Sequence, residues 1–233
     1  SVGDSPSPPC DMPMLRSRVP CPRVEWACPS LPGESILGTI GDMQGTPTHR
    51  KRCRRYDVPW EAHCLTFSTF RRQPFLTRSR SCDWCLQGIQ RGRDKGMFDL
   101  WAYVIMPEHL HVVLLPANGV TVGRILTAIK QSSSRRALHW VQSNAPDFLA
   151  TITDERPDGR KIHRFWQRGG GYDRNLRTVD DVHEKIRYIH ENPVRRGLVS
   201  RAENYPWSSC VAWETGRDDP IGLDRESLPP LTT

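Results

Sequence analysis

Residues 99–115 read DLWAYVIMPEHLHVVLL, two apolar runs of strand length parted by Pro107-Glu108. Asp99–Met106 and His109–Leu115 are rich in β-branched and aromatic residues, and proline cannot donate to a sheet ladder. The pattern therefore predicts two strands joined by a kink or tight connection. Side chains alternate along a strand, so His109, His111, Val113 and Leu115 share one face while Leu110, Val112 and Leu114 take the other. Two imidazoles spaced i and i+2 can converge on one metal ion. The same spacing also suits two hydrogen-bonded histidines at a sheet edge, and spacing alone leaves both readings open.

Working outward, HCLTFSTF (His63–Phe70) alternates and is a further strand, and residues 77–95 place Trp84, Leu86 and Ile89 at helical spacing. On the other side, Val122–Gln142 carries Ile125, Ile129 and Leu138 on a helical stripe, RFWQ (Arg164–Gln167) reads as a strand, and Gly169-Gly170-Gly171 reads as a flexible segment. Asp181–Asn192 is a helix that Pro193 stops, because the residue before proline disfavours helical geometry. The order β-α-β-β-α-β-α defines an α+β domain, helices packed against an antiparallel sheet.

Residues 1–53 are rich in Pro, Ser and Gly without sustained periodicity, which predicts a disordered leader. The ordered domain is expected over 54–213 and a loose polar tail over 214–233. Of the 233 residues 37% are hydrophobic and 25% charged, a globular balance. No segment reaches the roughly 18 uncharged residues of a membrane helix, and no secretory core opens the chain, so a cytoplasmic protein is expected. The net charge of +7 suits a phosphate polymer as partner, since docked Lys and Arg release condensed counterions. Cys82 and Cys85 form the one close pair among eight cysteines, and on a helix that spacing puts both on one packing face.

Val182, Ile186 and Ile189 make the apolar stripe of the 181–192 helix, and Tyr188 falls well away from it. Asn192 at i+4 and Glu184 at i−4 share the Tyr188 face, a phenol, an amide oxygen and a carboxylate in a row. Taken by itself, Tyr188 is better read as a half-buried packing aromatic.

MPEHLHVVLLP, FWQ, YIHENPVRRGLV and YPWSS, in this order, resemble the REP-associated tyrosine transposases, within the wider group of single-tyrosine HUH transposases. The resemblance spans roughly residues 54–209. It implies a ferredoxin-like fold, His109, His111 and Asn192 as metal ligands for Mg²⁺ or Mn²⁺, and Tyr188 as the catalytic nucleophile. It also implies single-stranded DNA that folds into hairpins as substrate, cleaved through a covalent 5′-phosphotyrosine intermediate in DNA transposition. A free phenol ionises near pH ~10 and needs a cationic neighbour to attack phosphorus.

Candidate DNA contacts are Arg124, Lys130, Arg135 and Arg136 on one helix and Arg195-Arg196 after the tyrosine helix, each of which is otherwise a solvated basic residue. Trp166 and Trp207 are candidate base-stacking residues, or core. Glu108 is a candidate for the metal's outer shell. Tyr172 beside the glycines is the rival nucleophile. A non-catalytic DNA-hairpin-binding protein and a water-using metal hydrolase are the alternatives, and the sequence leaves monomer and homodimer open.

Overall fold

The computed structural model describes residues 57–217 and 220–231, so the leader expected over 1–53 lies outside the described residues. Strand β1 (Ala62–Ser68) and helix α1 (Ser79–Asp94) are followed by β2 (Phe98–Met106) and β3 (His109–Pro116). Met106 pairs with His109, so Pro107-Glu108 is the two-residue loop of an antiparallel hairpin. Helix α2 (Val122–Asn144) leads to a short hairpin of β4 (Thr153–Glu155) and β5 (Lys161–His163), then to β6 (Tyr172–Leu176). Helices α3 (Val179–His190), α4 (Asn192–Arg195) and α5 (Cys210–Thr215) complete the fold.

The four-stranded sheet is ordered β2-β3-β1-β6 with every neighbouring pair antiparallel. Counting its strands along the chain, this is the 4-1-3-2 order of a ferredoxin-like α+β sheet. Leu65, Phe67, Leu110, Val112 and Leu114 turn to one face and bury against Cys82, Ile89, Ile125 and Ile129 of α1 and α2. Gly88 lets these two helices close, since a Cβ there would stand 2.8 Å from the Ile129 carbonyl oxygen. Cys64, Val104 and Val113 turn to the opposite face and meet Val182, Ile186 and Ile189 of α3. Burial on both faces explains why the strands read as nearly unbroken apolar runs.

Cys82 and Cys85 are free thiols in the first core, and burial pushes the Cys82 thiol up to about 12. They are packing residues. Three expectations are corrected in whole or in part. RFWQ is no regular strand: it joins β1's extension through a single bridge, Thr69 to Trp166. The helix that bears Tyr188 stops before Pro193 as expected but at His190 rather than Asn192, and Pro193 occupies the first turn of the separate short helix α4, where its missing N–H costs nothing. Within the tail expected to be loose, the described residues around Asp224 are packed. Asp224 accepts from Arg93 and from the Leu100 amide (2.7 Å), the Trp101 indole donates to Ser227 Oγ (2.9 Å), and Leu223 is buried. None of the described helices is long and apolar enough to cross a membrane.

Candidate metal and nucleophile site

His109 and His111 project from β3 toward α3, as the alternation predicts. Their Nε2 atoms lie 2.9 Å apart, with ring planes nearly perpendicular at 87°. The Asn192 amide, at the first position of α4, reaches His111 Nε2 at 2.7 Å. Each imidazole is held from behind. His111 Nδ1 meets Thr66 Oγ1 at 2.7 Å, and His109 Nδ1 meets Glu108 Oε1 at 3.1 Å. Arg196 donates to the same Glu108 oxygen at 2.6 Å.

The electrostatics follow from this packing. Burial, helped by repulsion from His109 and Arg195, drives the His111 imidazole down to about 3, so the ring is neutral at physiological pH. Burial alone would raise the Glu108 carboxyl. Hydrogen bonds from His109 and Arg196 outweigh it and bring the group down to about 2, a fixed negative charge behind His109.

This donor set fits a divalent cation. With Nδ1 of each ring turned to an oxygen partner, both Nε2 lone pairs point into the same small space, joined there by the Asn192 amide. Two imidazole nitrogens bound at about 2.1 Å to one ion stand about 3 Å apart, close to the spacing found here. A half-turn of the Asn192 amide offers Oδ1 to the same space as a hard ligand. Among the described residues no three His, Cys, Asp or Glu side chains cluster as ligands, and the Asn192 amide is the further polar group beside the two rings.

Tyr188 stands on the solvent side of α3, one helical turn before Asn192, and is 49% exposed. Two cations flank its ring: the Arg195 guanidinium 4.2 Å and the Lys185 ammonium 5.0 Å from the centroid. Arg195 also donates to the Tyr188 carbonyl at 2.6 Å. Phenol, histidine strand and amide thus sit on one side of the sheet. Glu184, the carboxylate of the predicted row, is exposed and leans on Lys185.

The other predicted residues divide. Arg195 and Arg196 belong to the site itself, one on the phenol ring and one on Glu108. Arg124, Lys130, Arg135 and Arg136 lie on α2, across the sheet; Arg124, Arg135 and Arg136 are exposed, and Lys130 donates to the Gly169 carbonyl. Trp166 is core, its indole donating to Ser133 Oγ at 2.8 Å, and Trp207 packs between both cores. Tyr172 pairs with Thr66 and is 55% exposed, and Gly171 just before it lies close against β1: a Cβ there would stand 2.1 Å from the Thr66 oxygen. Sequence reasoning missed Thr66, whose only signal is alternation with Cys64 and Ser68. The YPWSS segment is scaffold, its Tyr205 hydroxyl donating to the Ile105 carbonyl and its Ser209 holding both Tyr103 and buried His190.

An antiparallel 4-1-3-2 sheet with helices packed on both faces defines the structural class, a ferredoxin-like α+β fold. The chain is similar to a Haemophilus influenzae protein named "Putative REP-associated tyrosine transposase", at 26% identity over 113 residues, 48% of this chain and 58% of that relative. The solved structure of a REP-associated tyrosine transposase bound to a REP hairpin superposes with a TM-score of 0.55 at 20% identity, covering 78% of this chain and 99% of that one. At that identity the likeness is one of fold. The matched region thus spans 58% of the curated relative's length. No protein-family model matches the chain.

Proposed function

We propose that this protein is a metal-dependent single-stranded DNA endonuclease and strand transferase that acts in the cytoplasm on hairpin-forming repeats, with Tyr188 as nucleophile. The observation that carries the reading is the convergence of His109 Nε2, His111 Nε2 and the Asn192 amide beside the helix that presents Tyr188. The named relative and the structural likeness support it.

His109, His111 and Asn192 would hold Mg²⁺ or Mn²⁺, which supplies charge neutralisation at the scissile phosphate. Thr66 and Glu108 keep the two rings turned with Nε2 inward. Arg195 and Lys185 hold positive charge against the phenol ring, on the side from which the scissile phosphate is approached. Attack by the Tyr188 oxygen forms a tyrosyl–phosphorus bond and breaks the bond from phosphorus to the 3′ oxygen. The phenol proton passes to solvent at this exposed position, and the leaving oxygen takes one up as a 3′-hydroxyl. A second 3′-hydroxyl can reverse the step and join strands, because the phosphodiester energy is kept in the linkage.

The test is a denaturation-resistant complex formed from the protein, Mn²⁺ and a labelled single-stranded hairpin, with the modified peptide mapped by mass spectrometry. The adduct is expected on Tyr188 and is expected to vanish in Tyr188→Phe. Strand cleavage without an adduct would indicate attack by water, and an adduct mapped to Tyr172 would move the nucleophile. Either result overturns the proposal.

A further inference from the structure

The FWQ segment, prominent in the sequence, has no part in the chemistry above, yet it is bound with care to the chain leaving β1. Thr69 bridges to Trp166, the Phe70 amide donates to the Phe165 carbonyl (2.8 Å), and the Gln167 amide donates to the Ser68 carbonyl (2.9 Å). The Gln167 side chain accepts from the Arg71 amide at 3.0 Å. What these bonds hold is strained: Arg71 and Arg72 both have φ of 53°, a left-handed conformation that L residues avoid. Such strain persists only where its surroundings impose it, and it collects at binding sites.

The clamped turn presents both arginines to a cleft of about 610 Å³, walled also by Lys130, Arg168 and Tyr172. None of the residues lining the cleft is acidic, though Asp154 outside it pairs with Arg168 at 2.9 Å. Arg71 and Arg72 are exposed, and neither forms an ion pair with a described residue. Arg71 instead lies over the Phe70 ring at 4.8 Å. Thr66 and Ser68, on the cleft wall, sit directly opposite His111 and His109 on β3. The turn is also tied to the histidine hairpin, since the Thr69 amide donates to the Glu108 carbonyl at 2.9 Å and the Leu76 amide to the Pro107 carbonyl at 2.9 Å.

We propose that this cleft is a single-strand site: Arg71, Arg72, Lys130 and Arg168 grip the phosphates of unpaired DNA next to the cleavage position, and Tyr172 stacks on one of its bases. The inference rests on the function proposed above and deepens it. Unpaired DNA is favoured over duplex because an exposed ring in the cleft lining stacks on a base free of its partner strand.

Fluorescence anisotropy with a fluorescein-labelled oligo(dT) and with a blunt duplex of equal length tests it. In R71A/R72A the affinity for oligo(dT) is expected to fall about tenfold, and the slope of log affinity against log salt to shrink by about 1.4, two single-strand phosphate contacts. Duplex affinity is expected to hold. Tyr172→Ala is expected to weaken oligo(dT) about fivefold or more with little change in that slope. R71G/R72G suits the backbone and reads the same charge loss if the alanine variant unfolds. Equal losses on both DNAs, or no loss on oligo(dT), overturn the cleft. If wild-type protein forms the Tyr188 adduct while R71A/R72A keeps full oligo(dT) affinity, the cleft alone fails. If no adduct forms but the selective loss appears, the nuclease reading fails and the cleft stands.

Discussion

Thr66 and His111 face each other across adjacent antiparallel strands, and the Thr66 hydroxyl meets His111 Nδ1 at 2.7 Å. That one contact fixes which nitrogen of a buried, neutral ring points toward His109 and Asn192. An outer partner of this kind orients a ligand and typically carries 10–100-fold in metal affinity.

Thr66→Val keeps the shape of the side chain and removes the partner of Nδ1. Mn²⁺ affinity is expected to drop about 10–100-fold by isothermal titration calorimetry, with the fold retained by circular dichroism. Affinity equal to wild type would show that the ring is oriented by something else.

Gly171 and Gly169 both have positive φ, but only Gly171 presses on β1, its Cβ position lying 2.1 Å from the Thr66 oxygen while Gly169 faces open space. Gly169→Ala is expected to cost about 1 kcal/mol from backbone conformation alone. Gly171→Ala is expected to cost on the order of 2–4 kcal/mol, because β6 must also shift away from β1. Urea unfolding of the two variants compares them directly, and equal losses would contradict the close approach.

Asp224 ties the end of the chain to β2. Burial would raise its carboxyl, but the Arg93 guanidinium and the Leu100 amide outweigh it and hold the group below the ordinary 3.8. A carboxyl lowered in the folded state adds stability that is complete well above 3.8 and is lost as pH falls through its folded value. Asp224→Asn is therefore expected to be less stable than wild type by on the order of 1 kcal/mol at pH 7, given a partly exposed pair. The gap is expected to close in strong acid. Denaturant midpoints of both proteins across that range measure it.

What the sequence made legible was local. Alternation in HLHVVLL placed both imidazoles on one face, and the stripe of Val182, Ile186 and Ile189 set Tyr188 apart from it. What stayed hidden depends on contacts between distant residues. Arg196 reads as a solvated cation until it is seen on Glu108, 88 residues away, and Thr66 reads as an ordinary strand residue until β1 pairs with β3. β6, YDRNL, is a polar edge strand whose pairing with β1, not its composition, makes it a strand. The chain end looked loose because Asp224 gains its meaning only from Arg93, 131 residues earlier.

The rate of adduct formation at Tyr188 in single-turnover conditions, with Mn²⁺ and saturating hairpin DNA, compares wild type with His111→Ala most tellingly. The account predicts a fall of about 100-fold or more in the variant while hairpin binding persists, with the wild-type rate likewise abolished by a chelator. An unchanged rate in His111→Ala would mean that the strand of alternating imidazoles and the exposed phenol do not form one site.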